Sequence, residues 1–446
     1  MGGMMARATR AHRLLLVNPP ESERSMGRAM FHLASSWPPV WLAHLGGYVR
    51  DVTGCEVEVL DMAVGQAEDL DAALARGPDI VGVTAHTSVY PGALAIARRA
   101  RDEGARTVLG GPHPSVLPNE TVAEGCIDDV VVGDGEGALA AIVRGAAKGV
   151  HTAPVPPDAD RVPAYELLDM DRYGQGTITS KHVPSYPVFT MRGCPFACGF
   201  CQRPSRHARI ELDLVFASID RLVEEHGMRD FKVMDGTFPF DDERTREFCR
   251  RITEYDLTWN CQARSDLLTE ELITVMADAG CTSMGIGVES ASVDERKAIG
   301  KAVDLDRTKE VVRMCQDHGV AVRACFILGF PDDTEGSVRS TIDTARDLGP
   351  DFANFSIFTP FPGTPSWDKL VDRGITVSEE WDRFNTFELV FDHPHLSEER
   401  LQELLREAYR SFYLTSAFAR RRLREIVRDP RDAMNLLRGI RAFSRL

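Results

Sequence analysis

Short apolar runs alternate along this chain with longer stretches whose apolar positions recur every three or four residues, the periods of strands and of helices. In the first third, the runs at residues 13–17, 57–61, 79–85, 107–110 and 129–132 predict strands. The stretches at 39–50, 92–103 and 136–148 predict helices between them. Strands that alternate with helices imply a parallel sheet covered on both faces, here an α/β, doubly wound, Rossmann-like domain over residues 13–150. Residues 1–12 read as a tail. Residues 151–187 open with HTAPVPPDADRVP, rich in proline and polar residues, and read as a linker.

A second alternating series starts at residue 188. Strands are predicted at 188–191, 231–234, 257–261, 283–288, 320–328 and 352–358, with helices at 212–226, 242–254, 270–279, 307–318 and 335–348. Six βα units predict a partial (β/α)6 TIM-type barrel over residues 188–380, in which chemistry lies at the carboxyl ends of the strands. Residues 381–446 read as a helical region that turns basic from residue 406. That end is either a set of solvated helices packed on the barrel or a basic surface for an anionic substrate, a membrane face or an electron donor. No period of 20 to 50 residues appears, which excludes a solenoid.

Composition narrows the picture. The chain has 446 residues, enough for two or three domains, with 43% hydrophobic and 27% charged residues. That excludes a disordered or collagen-like chain. The net charge of -15 argues against a nucleic-acid partner. The run Leu14-Leu15-Leu16-Val17 is too short for a secretory signal, and no run reaches the roughly 18 apolar residues of a membrane span. A cytoplasmic protein without a membrane span is expected. Its ten cysteines suit free thiols in a reducing compartment better than a disulfide scaffold.

Three of those thiols fall within eight residues, in Met191-Arg192-Gly193-Cys194-Pro195-Phe196-Ala197-Cys198-Gly199-Phe200-Cys201, directly after the first predicted barrel strand. Such a loop can converge thiolates on a soft-metal centre. A zinc site would want a fourth ligand at familiar spacing, and His207, the nearest candidate, completes no such pattern. A four-iron cluster held by three thiolates leaves one iron open. The C-x3-C-x2-C spacing with Phe200 before the last cysteine resembles the cluster loop of the radical S-adenosylmethionine (SAM) enzymes.

The resemblance continues along the barrel, over roughly residues 188–368. Met234-Asp235-Gly236-Thr237-Phe238 is similar to the turn whose backbone takes the SAM amino group. Arg264 follows the third strand, where a guanidinium would hold the SAM carboxylate. Gly285-Ile286-Gly287-Val288-Glu289-Ser290 places Glu289 and Ser290 near the ribose. Phe326-Ile327-Leu328-Gly329-Phe330-Pro331 resembles the adenine-contacting turn, with Leu328 at the contact. Phe358-Thr359-Pro360-Phe361-Pro362-Gly363-Thr364-Pro365 resembles a turn of cobalamin-linked members.

The first domain is similar to the cobalamin (B12)-binding domain that precedes the barrel in one large radical SAM group. The matching pieces are Asn18-Pro19-Pro20, the run from Pro38 and Pro39 to Leu45, Gly110-Gly111-Pro112-His113-Pro114 and Gly133-Asp134-Gly135-Glu136-Gly137. With Thr84 and His86 after the third strand, the resemblance implies cobalamin contacts at Pro39, Thr84, His86, Gly110, Gly111, His113, Gly133, Gly135 and Glu136. The Asp-x-His-x-x-Gly motif that ligates cobalt elsewhere is absent, so His86 is either a cobalt ligand or a hydrogen-bonding loop histidine. No G-x-G-x-x-G follows the first strand, which weakens a dinucleotide or flavin site. A methylthiotransferase would carry three more cysteines in this domain; only Cys55 and Cys126 precede the linker.

The resemblance implies a 4Fe-4S cluster on Cys194, Cys198 and Cys201, with SAM and cobalamin as further cofactors. It implies a class B radical SAM C-methyltransferase that methylates an unactivated carbon of a small-molecule substrate, a natural product or lipid, by way of a 5′-deoxyadenosyl radical and methylcobalamin. A non-methylating reaction (cyclisation, ring contraction or oxidation) is the alternative, and a cofactor-dependent sensor the non-enzymatic one. An electron donor such as flavodoxin or ferredoxin is the implied partner. The seven other cysteines read as small buried residues. Cys261 and Cys325, on barrel strands, are the two singled out for a place near the substrate. Tyr165, Tyr173, His182 and Tyr186 in the linker are aromatic candidates for either the site or the core.

Overall fold

The computed structural model describes residues 12–27, 31, 37–176, 180–202, 207–416 and 418–420. They form two compact units, the first from residues up to 20 and 39–169, the second from 21–38 and 170 onward. In the first unit, β1 (Arg13–Asn18), β2 (Glu56–Asp61), β3 (Ile80–Thr84), β4 (Arg106–Gly110), β5 (Asp129–Val132) and β6 (Gly149–Thr152) make one parallel sheet in the order β2-β1-β3-β4-β5-β6. Leu14, Leu16, Ile80, Val108 and Val131 pack under Leu42, Val49, Leu139 and Ile142 of the helices Val40–Thr53 and Glu136–Val143.

β6 lies across the point where the sequence reading places the linker. Its four residues GVHT alternate in burial and make no apolar run, so tertiary pairing creates the strand. His151 Nε2 lies 2.7 Å from Asp129 Oδ1, and Arg106 grips the same buried carboxylate. Residues 153–169 then pack on this unit, with Tyr165 fully buried; Tyr173 and Tyr186 are buried in the second unit. These three aromatics therefore belong to the cores.

The second unit is a parallel sheet of β7 (Ser185–Val188), β8 (Asp230–Val233), β9 (Thr258–Ala263), β10 (Cys281–Glu289), β11 (Ala321–Leu328) and β12 (Phe352–Ile357), neighbours in that order. The helices Leu212–His226, Asp242–Ile252, Glu270–Asp278, Leu305–Asp317 and Glu335–Leu348 connect them. β7 begins three residues before its expected place. It also ends at Val188 and not Met191, because the N–H groups of Thr190 and Met191 turn to the Asp235 carboxylate, and Met191–Arg192 pairs instead with Ala208–Arg209.

Period-2 alternation sorts the strands into two faces. Phe231, Trp259, Met284, Ile286, Val322, Ala324, Phe326 and Phe355 are completely buried under the helices. Lys232, Asn260, Gln262, Arg323, Cys325, Asn354 and Ser356 take the opposite, inner face. Cys261 is thereby corrected: it faces the helix layer beside Cys281, whereas Cys325 faces inward beside Arg323. At the amino end, the Asp230 carboxylate accepts from Ser185 Oγ (2.7 Å) and Thr258 Oγ1 (2.6 Å) and closes the barrel floor.

Six strands leave the outer edge of β12 unpaired, an exposure that must be satisfied. The helix Glu398–Tyr413 covers it. Ser397 caps this helix, and Leu401, Leu404, Leu405 and Ala408 turn inward. Tyr409 and Tyr413, one turn apart, each use a hydroxyl as a substitute strand. Tyr409 accepts from Phe355 N (3.2 Å) and donates to Phe355 O (2.8 Å). Tyr413 does the same for Ala353, at 3.0 and 2.7 Å. Tyr409→Phe is expected to cost about 1–3 kcal/mol, because it strands a buried N–H and C=O, and to lower the thermal midpoint of the barrel. An unchanged midpoint would show that the edge finds other donors and acceptors.

Glu23–Met26 packs on the same unit, with Arg24 paired to Glu380 (2.6 Å) and Asp382 (2.9 Å). Of the expected helical end, residues 384–397 are largely irregular and Glu398–Tyr413 is the long helix. The basic stretch over 421–446 lies outside the described residues. Among the described residues no helix is long and apolar enough to cross a membrane.

Candidate functional site

The cysteine loop is held by its backbone. Gly199 N donates to Ile299 O (2.8 Å), and Ser366 N donates to Gly199 O (2.9 Å). Cys194 and Cys198 are half-buried and Cys201 is exposed. A Cβ on Gly236 would stand 3.5 Å from Cys194 Sγ, so the turn after β8 lies directly against the first thiol. Burial pushes the Cys198 thiol up, while Lys301 and Arg264 pull it back toward thiolate. The loop thus brings its thiols to a cationic neighbourhood at the carboxyl ends of the strands.

Asp235 is buried, and its side chain is spent on the loop. Oδ1 accepts from Thr190 N (2.9 Å) and Met191 N (3.3 Å), and Oδ2 meets the Thr190 hydroxyl. Only the backbone of this turn remains to meet a ligand. Burial pushes the Asp235 carboxyl up to about 6, outweighing those hydrogen bonds. A raised carboxyl favours folding in its protonated form. Its contribution is complete below the ordinary carboxylate range and is lost as pH rises through about 6. Asp235→Asn keeps the two accepted bonds and donates to Thr190. The stability of wild type relative to this variant is expected to rise by about 2–3 kcal/mol between pH 8 and pH 4. Thermal midpoints of both proteins across that range check it; parallel curves would sink it.

Arg264 is 8% exposed. Asp266 holds it through two bonds (3.0 and 2.8 Å), and its guanidinium lies 4.2 Å from the Phe196 ring centre. Glu289 is buried at φ 69° and pairs with Lys301 Nζ at 2.5 Å. A Cβ on Gly287 would meet the charged ends of both side chains, so the pair in this arrangement lies directly over the glycine. Ser290 Oγ accepts from Ser292 N (3.1 Å), and buried Arg296 ties Ser290 O to Val303 O. Leu328 packs its side chain in the helix-side core, and Phe200, partly buried, packs against the same cluster. Leu328 therefore offers a ligand its backbone alone. Sequence reasoning missed Lys301 and Asp266. Neither ends a strand, and Lys301 follows a six-residue helix, Val293–Ala298, with no periodic signal.

In the first unit the candidates gather at the carboxyl edge of the sheet. The order β2-β1-β3 puts a switch point between β1 and β3, where doubly wound sheets bind ligands. Thr84, Gly110, Gly111, Gly133 and Gly135 keep partial exposure there. Gly111, at φ 102°, touches the next loop so closely that a Cβ would lie 2.8–2.9 Å from Ala85 N, Ala85 O and Thr84 Oγ1. His86 is exposed, with Nδ1 3.3 Å from Ser88 Oγ. His113, 1% exposed, lies against the Tyr90 ring and 3.3 Å from Thr87 Oγ1. Burial pushes its pKa down to about 4, so the ring is neutral at pH 7. Glu136 turns inward to His44 Nδ1 (3.4 Å), and Pro39 is buried at the start of its helix. Pro39, His113 and Glu136 thus shape the edge from beneath.

The donor sets fit the implied groups. Among the described residues no three His, Cys, Asp or Glu side chains gather around a single metal ion. A four-iron cube, with one iron per thiolate, asks for wider spacing than a lone ion. A bulky planar ligand asks for a small-residue edge like that of Gly110, Gly111 and Gly133. A doubly wound sheet with such an edge, joined to a parallel barrel with a three-thiol loop, defines the cobalamin-binding radical SAM enzymes. Residues 29–143 match the B12 binding domain, and residues 188–345 match the radical SAM superfamily. The chain is 32% identical to the uncharacterized methyltransferase PH0819 of Pyrococcus horikoshii, over 90% of this chain and 92% of that protein. It is 28% identical to the anaerobic magnesium-protoporphyrin IX monomethyl ester cyclase of Rubrivivax gelatinosus, over 86% and 75%. The structure of the radical SAM methyltransferase TsrM from Kitasatospora setae, with cobalamin and a [4Fe-4S] cluster bound, shares the fold at a TM-score of 0.71 and 19% identity, over 89% and 91% of the two chains. The protein belongs to the cobalamin-binding radical SAM enzymes, whose cofactors are a 4Fe-4S cluster, SAM and cobalamin.

Proposed function

We propose that this enzyme is a C-methyltransferase acting on an unactivated carbon of a small molecule, in natural-product or lipid biosynthesis. The observation that carries the reading is the three-thiol loop packed against Gly236 in a chain whose first unit matches the B12 binding domain. Its likeness to PH0819, described as a methyltransferase, supports methylation as the outcome.

When bound, the cofactors supply a 5′-deoxyadenosyl radical from SAM and a methyl group from cobalamin. Cys194, Cys198 and Cys201 would hold three irons and leave the fourth to SAM. The backbone of Asp235 and Gly236, Arg264, Glu289, Ser290 and the backbone of Leu328 would orient SAM, with Phe200 shielding the loop. Asp266 keeps the Arg264 guanidinium in one orientation, and Lys301 holds the Glu289 carboxylate in place. Thr84, His86, Gly110, Gly111, Gly133 and Gly135 would meet cobalamin, supported by Pro39, His113 and Glu136. Flavodoxin or ferredoxin would supply the electron.

A second reading, cobalamin-dependent radical chemistry without methyl transfer, is favoured by the likeness to the Rubrivivax cyclase. Product mass decides between them. With the reduced, reconstituted enzyme, a gain of one CH2 is expected alongside 5′-deoxyadenosine. Deoxyadenosine with no such gain would replace the methyltransferase reading with the second one.

A further inference from the structure

The inner face of the barrel carries charge that the chain does not neutralise. Lys232 sits on β8 and is in register with Asn260 on β9. Gln262 on β9 pairs with Gly285 on β10, which pairs with Arg323 on β11. With no side chain at Gly285, Arg323 reaches across it, and Gln262 accepts from Arg323 at 2.9 Å while donating to Gly285 O at 3.2 Å. Lys232 feels Arg323 as a like charge; burial foremost, and Arg323 next, push the lysine down to about 8. Asn260 is 4% exposed, and its Nδ2 is buried with no hydrogen-bond acceptor.

Buried Arg296 is satisfied by the carbonyls of Ser290, Ala291 and Val303, and two other enclosed cations of this unit are paired with carboxylates. Lys301 has Glu289 at 2.5 Å, and Arg264 has both oxygens of Asp266. Buried charges are ordinarily paired in this way, because an unpaired charge in a low dielectric is costly. Among the described residues, no carboxylate forms an ion pair with Lys232 or Arg323. Two facing cations beside an unused amide N–H do not stabilise a barrel. They suit an acceptor-only anion that arrives from outside, since lysine, guanidinium and amide all donate.

We propose that Lys232, Arg323 and Asn260 hold an oxyanion of the substrate, a carboxylate or a phosphate, so that the small molecule methylated here is an acid. This rests on the reading above that the barrel is the reaction site. The anion takes three kinds of donor: the Lys232 ammonium, the N–H groups of Arg323 not given to Gln262 or Cys325, and Asn260 Nδ2. Cys325, next along β11 on the same face, lies between Arg323 and the Glu289–Lys301 pair and feels the charge of all three.

The test is calorimetric titration of the full-length, anaerobically reconstituted holoenzyme with inorganic phosphate and, separately, with acetate. The variants are Lys232→Met, Arg323→Met, the charge-preserving Lys232→Arg, and Arg250→Gln on an exposed helix face as control. Wild type, Lys232→Arg and Arg250→Gln are expected to bind at least one anion saturably. Lys232→Met and Arg323→Met should each weaken that binding by at least about tenfold. Tighter phosphate binding assigns a phosphoryl group, and tighter acetate binding a carboxylate. Saturable binding of neither anion by wild type overturns the proposal. So does binding that survives both methionine substitutions, which would belong to a cofactor site. Cleavage of SAM by the wild-type holoenzyme is scored in parallel. Cleavage without anion binding sinks this inference alone; anion binding without cleavage leaves the anion site standing but removes the radical reading and the methylated substrate with it.

Discussion

Cys198→Ala is expected to abolish cluster binding and reductive SAM cleavage while leaving the polypeptide folded. Two thiolates, Cys194 and Cys201, cannot replace three corners of a cube, so iron content and the broad visible absorbance of the reconstituted protein should fall to background. The loop should survive, because its fold depends on backbone contacts. Gly199 is bonded to Ile299 O and Ser366 N, and Asp235 holds Thr190 and Met191. Losing one half-buried thiol from such a loop should change the stability of the apoprotein by less than about 1 kcal/mol. Iron analysis and the thermal midpoint of the cluster-free protein separate the two effects. A Cys198→Ala protein that still carries its cluster would show that these three cysteines are not its ligands.

Lys301→Met is expected to give the largest loss of stability, about 3–5 kcal/mol, because it leaves the buried Glu289 carboxylate without its counter-charge. Glu289 has little freedom to escape. It sits in the left-handed region at φ 69°, with the pair lying directly over Gly287. Removing both charges in Glu289→Gln/Lys301→Met should recover much of the loss, giving a coupling energy of at least about 2 kcal/mol. Thermal or urea midpoints of the two single variants and the double variant measure it. A double variant no more stable than Lys301→Met would show that the lysine acts through other contacts. The result reaches the cysteine loop too, because Ile299 and Lys301 lie on the same short connection after Val293–Ala298.

Most strands were legible because they carry apolar runs between polar connections. The helices Leu212–His226 and Glu335–Leu348 begin and end where their periodicity predicts. The strand Gly149–Thr152 was not, because half of it is exposed and only pairing with Asp129–Val132 makes it a strand. The first barrel strand ends at Val188, three residues short of its expected end, for a reason no local pattern contains: the Asp235 side chain, some 45 positions away, takes the N–H groups that would have extended the strand. Cys261 and Cys325 look alike in sequence. Their difference follows from the register of each strand, which sends one to the helix layer and the other inward.

By itself, the sequence determined the chemistry that depends on short spacing. Three thiols within eight residues stay close however the rest of the chain folds, and glycines at strand ends mark where backbone must approach a ligand. Only the tertiary structure decided which side chains face one another. Lys232, Asn260 and Arg323 lie on three different strands, and parallel pairing brings them to one inner face. Lys301 reaches Glu289 across a helix, and Tyr409 reaches Phe355 from the last described helix. The physical reason is common to all of these. Periodicity reports which face a residue takes within its own element. Charge pairing, and its absence at Lys232 and Arg323, depends on distances between elements, which exist only once the strands are in register.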